Sequence, residues 1–121
     1  MVDKTKIKDI VAETMSEYPD IEGIIVCDAN GDVVFGHTIA GGVKHKEVAE
    51  HVVNISSDSS KLTNAIDKGG LKEVSISADD GFIIIFGDVK LILAAIAGEG
   101  AREQMGLIRI ALKRALLSII D

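Results

Sequence analysis

A chain of 121 residues suffices for one domain, and we expect residues 1–121 to form a single domain. Its formal net charge is −6, and aromatic residues make up only 3%. These values argue against nucleic-acid binding, which needs clustered cations to neutralise phosphates and aromatic rings to stack on bases. Hydrophobic residues make up 47% and the mean hydropathy is +0.30, which suggests that a partner copy covers some apolar surface.

The cysteine content and the lengths of the apolar runs indicate in which cellular compartment the protein is expected. Cys27 is the only cysteine, so no disulfide can form within the chain and a reducing compartment is the natural interpretation. Residues 1–9 are polar and charged, and no signal-peptide apolar region follows them. The longest apolar runs, at 82–86 and 91–97, are too short to span a bilayer. We therefore predict a cytoplasmic protein with no membrane span.

The first third of the chain predicts a helix followed by a β-hairpin. Apolar residues recur at helical spacing over residues 4–18, and Pro19 ends the pattern. Two β-rich runs, 22–28 and 32–39, are joined through Asn30-Gly31, a pair typical of a type I′ turn. The first run is apolar on both faces, so helices should cover both sides of the sheet.

A long helix is predicted from residue 44 to residue 67, with three distinct faces. The serine-rich run 56–60 has poor helix propensity and leaves a break open, although the continuous apolar stripe favours one helix. That stripe should lie on the sheet and consists of Val48, Val52, Ile55, Ser59, Leu62 and Ile66. A flank of mostly small residues consists of Ala49, Val53, Ser56, Ser60 and Thr63. The solvated side carries Lys46, Glu50, Asn54, Ser57, Asp58, Lys61 and Asn64.

The remaining residues predict an antiparallel meander and a closing helix. Strands are expected at 71–77, 81–87 and 89–97, separated by tight turns. The middle strand is solidly apolar and should be central, whereas the first alternates and should be an edge. The last helix, at 101–120, has a core stripe of Ala101, Met105, Ile108, Leu112, Ala115, Leu116 and Ile119. Ile110 and Leu117 point away from that stripe, either toward the first helix or toward a partner.

Two loops resemble ligand-binding motifs only superficially. Residues 28–32 mimic the start of a calcium loop, but Val33 stands where glycine is needed and Ile39 where glutamate is needed. Residues 98–102 connect a strand to a helix, but no P-loop Lys-Ser/Thr follows, and Glu103 replaces the third glycine of a dinucleotide fingerprint. We interpret both segments as structural turns.

The reactive residue types do not form a catalytic pattern. His37, His45 and His51 lack the spacing of metal ligands, and Cys27 lies within an apolar strand, as a buried thiol would. The serine run has no neighbouring base in sequence, and no GxSxG elbow exists. We therefore assign no catalytic, metal-binding or cofactor-binding residue and do not expect an enzyme.

The element order and two local motifs resemble the Roadblock (dynein light-chain Roadblock type) family over almost the whole chain. The first motif is Ile24-Ile25-Val26-Cys27-Asp28-Ala29-Asn30-Gly31, in the first hairpin. The second, residues 105–115 in the last helix, is similar to the family's Leu-Gly-Leu…Arg…Leu signature. The related longin and profilin-like folds use a similar order.

The resemblance implies an α+β fold in which a five-stranded antiparallel sheet lies between one long helix and two terminal helices. It also implies a homodimer in which the strand after the long helix pairs with its twin and the two long helices lie side by side. The residues agree, because the edge run 71–77 has no proline and only Lys72 and Glu73 as charges. The alternative is an ordinary core helix with a solvated edge strand.

The family contains regulators and platforms for small Ras-like GTPases, including those of the gliding-motility Mgl type, and the dynein light chain itself. The resemblance thus implies a non-enzymatic scaffold that binds a small GTPase and modulates its nucleotide cycle or localisation. The alternatives are a profilin-like sensor of a small ligand and a scaffold of the motor light-chain type. The predicted dimer contacts are Ala49, Val53, Ser56, Ser60, Thr63, Leu71, Val74 and Ile76. The predicted partner surface consists of Lys46, Glu50, Asn54, Lys61, Asn64, Ile110 and Leu117.

Overall fold

Three helices and five strands follow one another in the predicted order in the computed structural model, which describes residues 3–39, 41–87 and 90–120. The elements are α1 (Lys4–Glu17), β1 (Ile21–Asp28), β2 (Val33–Thr38), α2 (His45–Ala65), β3 (Glu73–Ala78), β4 (Gly81–Gly87), β5 (Leu91–Gly98), a 3-10 helix (Glu99–Gln104) and α3 (Met105–Ile120). The predicted start of the last strand, at residue 89, lies outside the described residues. No helix within the described ranges is both long enough and apolar enough to cross a membrane.

The five strands form one antiparallel sheet in the order β2-β1-β5-β4-β3. The edge position predicted for β3 is confirmed, and β2 forms the opposite edge. β4 is an interior strand that pairs with β3 and β5. The central position predicted for it, the third of five, belongs instead to β5, which pairs with β1 and β4. The predicted helix at 101–120 begins as a 3-10 turn and becomes α-helical only at Met105.

The helices cover the two faces of the sheet unequally. α1 and α3 pack side by side on one face, where Ile7, Val11, Ile108 and Leu112 are buried against apolar residues of β1, β4 and β5. α2 lies alone on the other face, over a smaller cluster. The predicted arrangement of one long helix opposite two terminal helices is therefore confirmed.

The first hairpin is present, but its turn differs from the prediction. A type I′ turn needs a positive φ at both central residues, whereas only Gly31 has one (φ 86°) and Asn30 does not. The Asp28 carboxylate instead accepts hydrogen bonds from the backbone N–H groups of Asn30 (2.9 Å) and Asp32 (3.0 Å). This side chain organises the loop, and the register shifts nearby, between Val26 and Cys27.

Candidate interaction site

The residue types considered for chemistry lie apart in the structure. No group of three or more histidine, cysteine or acidic residues that could hold a metal comes together among the described residues. The Cys27 side chain is buried between α2 and the sheet, and burial, with Asp28 nearby, raises the pKa of its thiol to about 11. The prediction of a buried core thiol is confirmed.

The three histidines occupy different environments. His37 on β2 and His51 on α2 are exposed. His45, in the first turn of α2, lies over Gly36 and places its Nε2 atom 3.2 Å from the Thr38 hydroxyl. A Cβ atom at Gly36 would lie only 2.7 Å from the His45 ring, so glycine permits this close approach of α2 to the edge strand. His45 therefore positions the start of α2 on β2.

The two ends of α2 differ in how far the sheet covers them. Ala49 and Val52 are buried against β1, β4 and β5, with 0% and 2% of their surface exposed. Leu62 and Ile66 were predicted to lie on the sheet, but they are 62% and 56% exposed. A helix of 21 residues is about 32 Å long, whereas strands of six to eight residues span about 20–27 Å. The last turns of α2 therefore extend past the sheet.

The face of the sheet beneath α2 is only partly covered. α2 packs mainly on β1, β2 and β4, and its cover is incomplete toward the β3 edge, where Val74 is half-buried against the cluster beneath α2 and Ile76 is 37% exposed. Val74 and Ile76 of β3 pair with Ile85 and Ile83 of β4 and share their face of the sheet. An open groove of about 560 Å³ runs between α2 and this incompletely covered part, with Val48, Ile76, Ile83 and Ile96 in its walls. A single chain thus leaves apolar sheet surface open beside an edge strand.

A second open groove, of about 520 Å³, lies beside the C-terminal half of α2. Four of the predicted dimer contacts, Val53, Ser56, Ser60 and Leu71, line it together. The Ser56 hydroxyl oxygen is buried and has no hydrogen-bond partner among the described residues. An unpaired buried hydroxyl costs free energy unless another molecule supplies the missing partner.

Two arginines fasten β3 to the opposite layer. Arg102 of the 3-10 helix donates hydrogen bonds to the Ser77 hydroxyl (2.7 Å) and to the Ala78 carbonyl (2.8 Å). Its guanidinium also lies over the Phe82 ring, 5.8 Å from the centroid. Arg109 of α3 forms an ion pair with Glu73 at the start of β3. The edge strand is therefore held at both ends, from the face that α2 does not occupy.

The structure separates the sequence-predicted contacts into groups. Ala49 has no surface for a partner, because its methyl group is fully buried in the core beneath α2, and the dimer contact predicted for it is wrong. Among the other predicted dimer contacts, Ile76 is exposed. The remaining six predicted dimer contacts are partly buried on the α2 side of the sheet: Val53, Ser56, Ser60, Thr63, Leu71 and Val74.

The predicted partner surface is not one continuous surface. Five of its residues are exposed on α2, namely Lys46, Glu50, Asn54, Lys61 and Asn64. Ile110 and Leu117 are also exposed, but they lie on α3, on the other side of the sheet. Helical periodicity placed the five α2 residues on a solvated side, but it left Ile110 and Leu117 either against the first helix or toward a partner. It also could not show which side of the sheet each helix occupies.

Comparison with known proteins defines the fold. Neither protein-family models nor curated protein sequences match the chain. Among solved structures, MglB of Myxococcus xanthus is similar with a TM-score of 0.86 and 14% identity, over 96% of this chain and 86% of that chain. The gliding protein MglB of Thermus thermophilus has a TM-score of 0.81 and 16% identity, over 95% of this chain and 86% of that chain.

A third solved structure connects this fold to the family that the sequence resembles. A Roadblock/LC7 domain from Streptomyces avermitilis is similar with a TM-score of 0.68 and 15% identity, over 89% of this chain and 95% of that domain. The chain therefore has the fold shared by Roadblock domains and MglB, as the sequence predicted. At these identities the comparison establishes the fold alone.

Proposed function

We propose that the protein is a non-enzymatic, cytoplasmic homodimer that binds a small Ras-like GTPase and modulates its nucleotide cycle or its localisation. The observation that supports this most is the incompletely covered apolar surface of the sheet, at Ile76 and Ile83, beside the open edge of β3. A second copy pairing along β3 would satisfy the backbone groups of both edges and extend the sheet to ten strands. The two α2 helices would then lie side by side over the surface that one helix cannot cover.

The small-residue flank of α2 fits this arrangement. Ser56 and Ser60 are partly buried and line the groove that Leu71 also lines, and Thr63 is partly buried one turn further along α2. Small side chains allow a second helix to approach closely. A partner copy would also offer hydrogen-bonding groups to the Ser56 hydroxyl, which lacks one in the single chain.

The GTPase is proposed because the Roadblock family, whose fold this chain has, contains regulators and platforms for such GTPases. The exposed side of α2, with Lys46, Glu50, Asn54 and Lys61, is the surface we assign to this partner. In a side-by-side dimer, two copies of this surface would be neighbours and would form a platform wider than one helix. The dimer would act by favouring one conformation of the switch segments of the GTPase.

Retention of partners from native cell extract tests this function. The full chain serves as bait, with either GDP or a non-hydrolysable GTP analogue present, and retained proteins are identified by mass spectrometry. We expect a small Ras-like GTPase, with preference for one nucleotide if the protein reads the nucleotide state and with equal retention if it is a passive platform. Retention without any GTPase contradicts the proposal and favours the ligand-sensor or motor-scaffold alternative.

Matched charge reversals locate the surface. Lys61→Glu changes an exposed residue of α2, whereas Lys113→Glu makes the same change on α3, across the sheet. We expect the first to weaken GTPase retention and the second to leave it unchanged. The opposite result would move the GTPase to the α1/α3 layer.

A further inference from the structure

We propose that the edge strand β2 and the groove between it and α1 form a second interaction site, which binds an extended segment of another protein. This site lies at the opposite edge of the sheet from β3 and is separate from the proposed dimer contacts. Two observations point to it independently: the open hydrogen-bonding edge of β2 and an apolar groove along that edge.

The open edge follows from the register of β2 on β1. The Ile39 N–H donates to the Glu22 carbonyl oxygen at 2.9 Å, and bonded pairs alternate along an antiparallel ladder. Since Gly23 lies opposite Thr38 and Ile25 opposite Gly36, these two pairs are the non-bonded ones. The backbone N–H and C=O groups of Gly36 and Thr38 therefore face away from β1, and no described residue pairs with them.

Beyond the bulge at Val34, the composition of β2 leaves this edge unprotected. Natural edge strands usually carry a charge or a proline that prevents further pairing. The strand Val33–Thr38 contains no lysine, acidic residue or proline. The β3 edge, which we assign to the second copy, carries one charge, Glu73, and Arg109 pairs with it.

The groove supplies the second requirement, a place for side chains. It has a volume of about 410 Å³ and is lined by Val11 and Met15 of α1 and by Phe35 and His37 of β2. Phe35 and His37 lie opposite Val26 and Ile24, so they face the α1 side of the sheet. Ile39, at 64% exposure, continues the apolar wall just beyond the strand.

These two features together specify the occupant. A strand added to β2 would place alternate side chains on the α1 face, where the groove would take large apolar ones. The expected ligand is therefore an extended segment in which large aliphatic or aromatic residues alternate with small or polar ones. A second copy of this chain fits less well, because self-pairing at β2 in addition to β3 would generate an open-ended sheet instead of a closed dimer.

Selection from a phage-displayed library of random linear peptides on the purified full chain tests this site. We expect the enriched peptides to share an alternating apolar pattern and to protect the Thr38 amide from hydrogen exchange when bound. Enrichment of no peptide, or of peptides that protect amides elsewhere, overturns the proposal.

Two substitutions with matched controls make the test specific. Thr38→Pro removes the outward N–H without removing a bond to β1, and proline is tolerated on an edge in that position. Thr38→Val loses the same hydroxyl but keeps the N–H. We expect Thr38→Pro to weaken binding of the selected peptides at least about tenfold and Thr38→Val to leave it nearly unchanged. Equal binding to both variants overturns the proposal.

A substitution on α1 tests the same groove if the Thr38→Pro variant does not fold. Ala12→Arg places a large side chain at the exposed wall of the groove, whereas Glu13→Arg alters the neighbouring residue, which does not line it. Only Ala12→Arg should reduce peptide binding. If the wild-type chain forms large assemblies that Thr38→Pro abolishes, a second copy is the occupant and the proposed partner is wrong.

Discussion

Arg109 on α3 and Glu73 on β3 form an ion pair that joins the C-terminal helix to the edge strand of the sheet on which it packs. The Arg109 Nε atom lies 2.9 Å from one carboxylate oxygen, and a second nitrogen contacts the other oxygen. The hydrogen bond to Glu73 raises the pKa of the Arg109 guanidinium above its ordinary value. With Arg102 at the other end, the pair holds in place the edge strand to which we propose that a second copy binds.

We expect Arg109→Gln to loosen β3 more than it destabilises the whole protein. Exposed ion pairs contribute little to global stability, so the thermal midpoint should change only slightly. Amide hydrogen exchange over residues 73–78 should become faster, and an Arg109→Glu/Glu73→Arg exchange of the charges should restore slow exchange. Unchanged exchange in Arg109→Gln would show that the pair does not hold the strand.

We expect Asp28→Ala to destabilise the first hairpin. The Asp28 carboxylate accepts two backbone hydrogen bonds in the loop, and losing such bonds costs about 2 kcal/mol of unfolding free energy. Asp32→Ala, which removes another carboxylate from the same loop, serves as the control and should change stability by less than about 0.5 kcal/mol. Urea denaturation measures both, and equal effects would contradict a special role for Asp28.

The Cys27 thiol should make the protein less stable in base. Its folded pKa of about 11 lies above the ordinary value of 9.0, so the folded state holds its proton more tightly than the unfolded state does. This contribution is fully present below pH 9 and is lost as the pH rises toward 11, by roughly 2–3 kcal/mol in total. Urea denaturation at about pH 8 and about pH 10.5 should show the loss in the wild type and a smaller loss in Cys27→Ala. Equal losses would contradict this assignment.

The unpaired hydroxyl of Ser56 provides a prediction specific to the dimer. If a partner copy supplies its missing hydrogen bond, the symmetric dimer contains that bond twice, so Ser56→Ala should weaken dimerisation by about 2 kcal/mol, which is about thirtyfold in the dissociation constant. Ser118→Ala, at an exposed position of α3 across the sheet, should have no effect. Sedimentation over a range of concentrations measures both constants. A tighter dimer in Ser56→Ala would show that the hydroxyl stays unpaired.

Local sequence patterns predicted the elements well because each is determined by neighbouring residues. Apolar spacing and Pro19 define α1, and the turn residues separate the strands of the meander. The edge position of β3 was also predictable, because its alternation is typical of a strand with one solvated face. The turn type at Asn30-Gly31 was not, since the Asp28 side chain competes with the usual dipeptide preference.

Local sequence patterns could not predict contacts between residues that are far apart in the sequence. Periodicity placed Leu62 and Ile66 on the sheet because it contains no information on where the sheet ends. It also placed Ala49 on a partner-facing flank, although the helix is rotated so that this residue is buried. Arg102 and Arg109 were noted only as cations, because their partners on β3 are distant in the sequence.

The measurement that tests the dimer most directly is sedimentation of the wild type beside Val74→Asp/Ile76→Asp. Both residues lie on the α2 side of the edge strand β3, so two added carboxylates should prevent close packing of a second copy. A Leu107→Asp/Ile110→Asp control adds the same charges to exposed apolar positions of α3, across the sheet. We predict a dimeric wild type, a dimeric control and a monomeric β3 variant. A monomeric wild type, or a β3 variant that remains fully dimeric, would contradict the account.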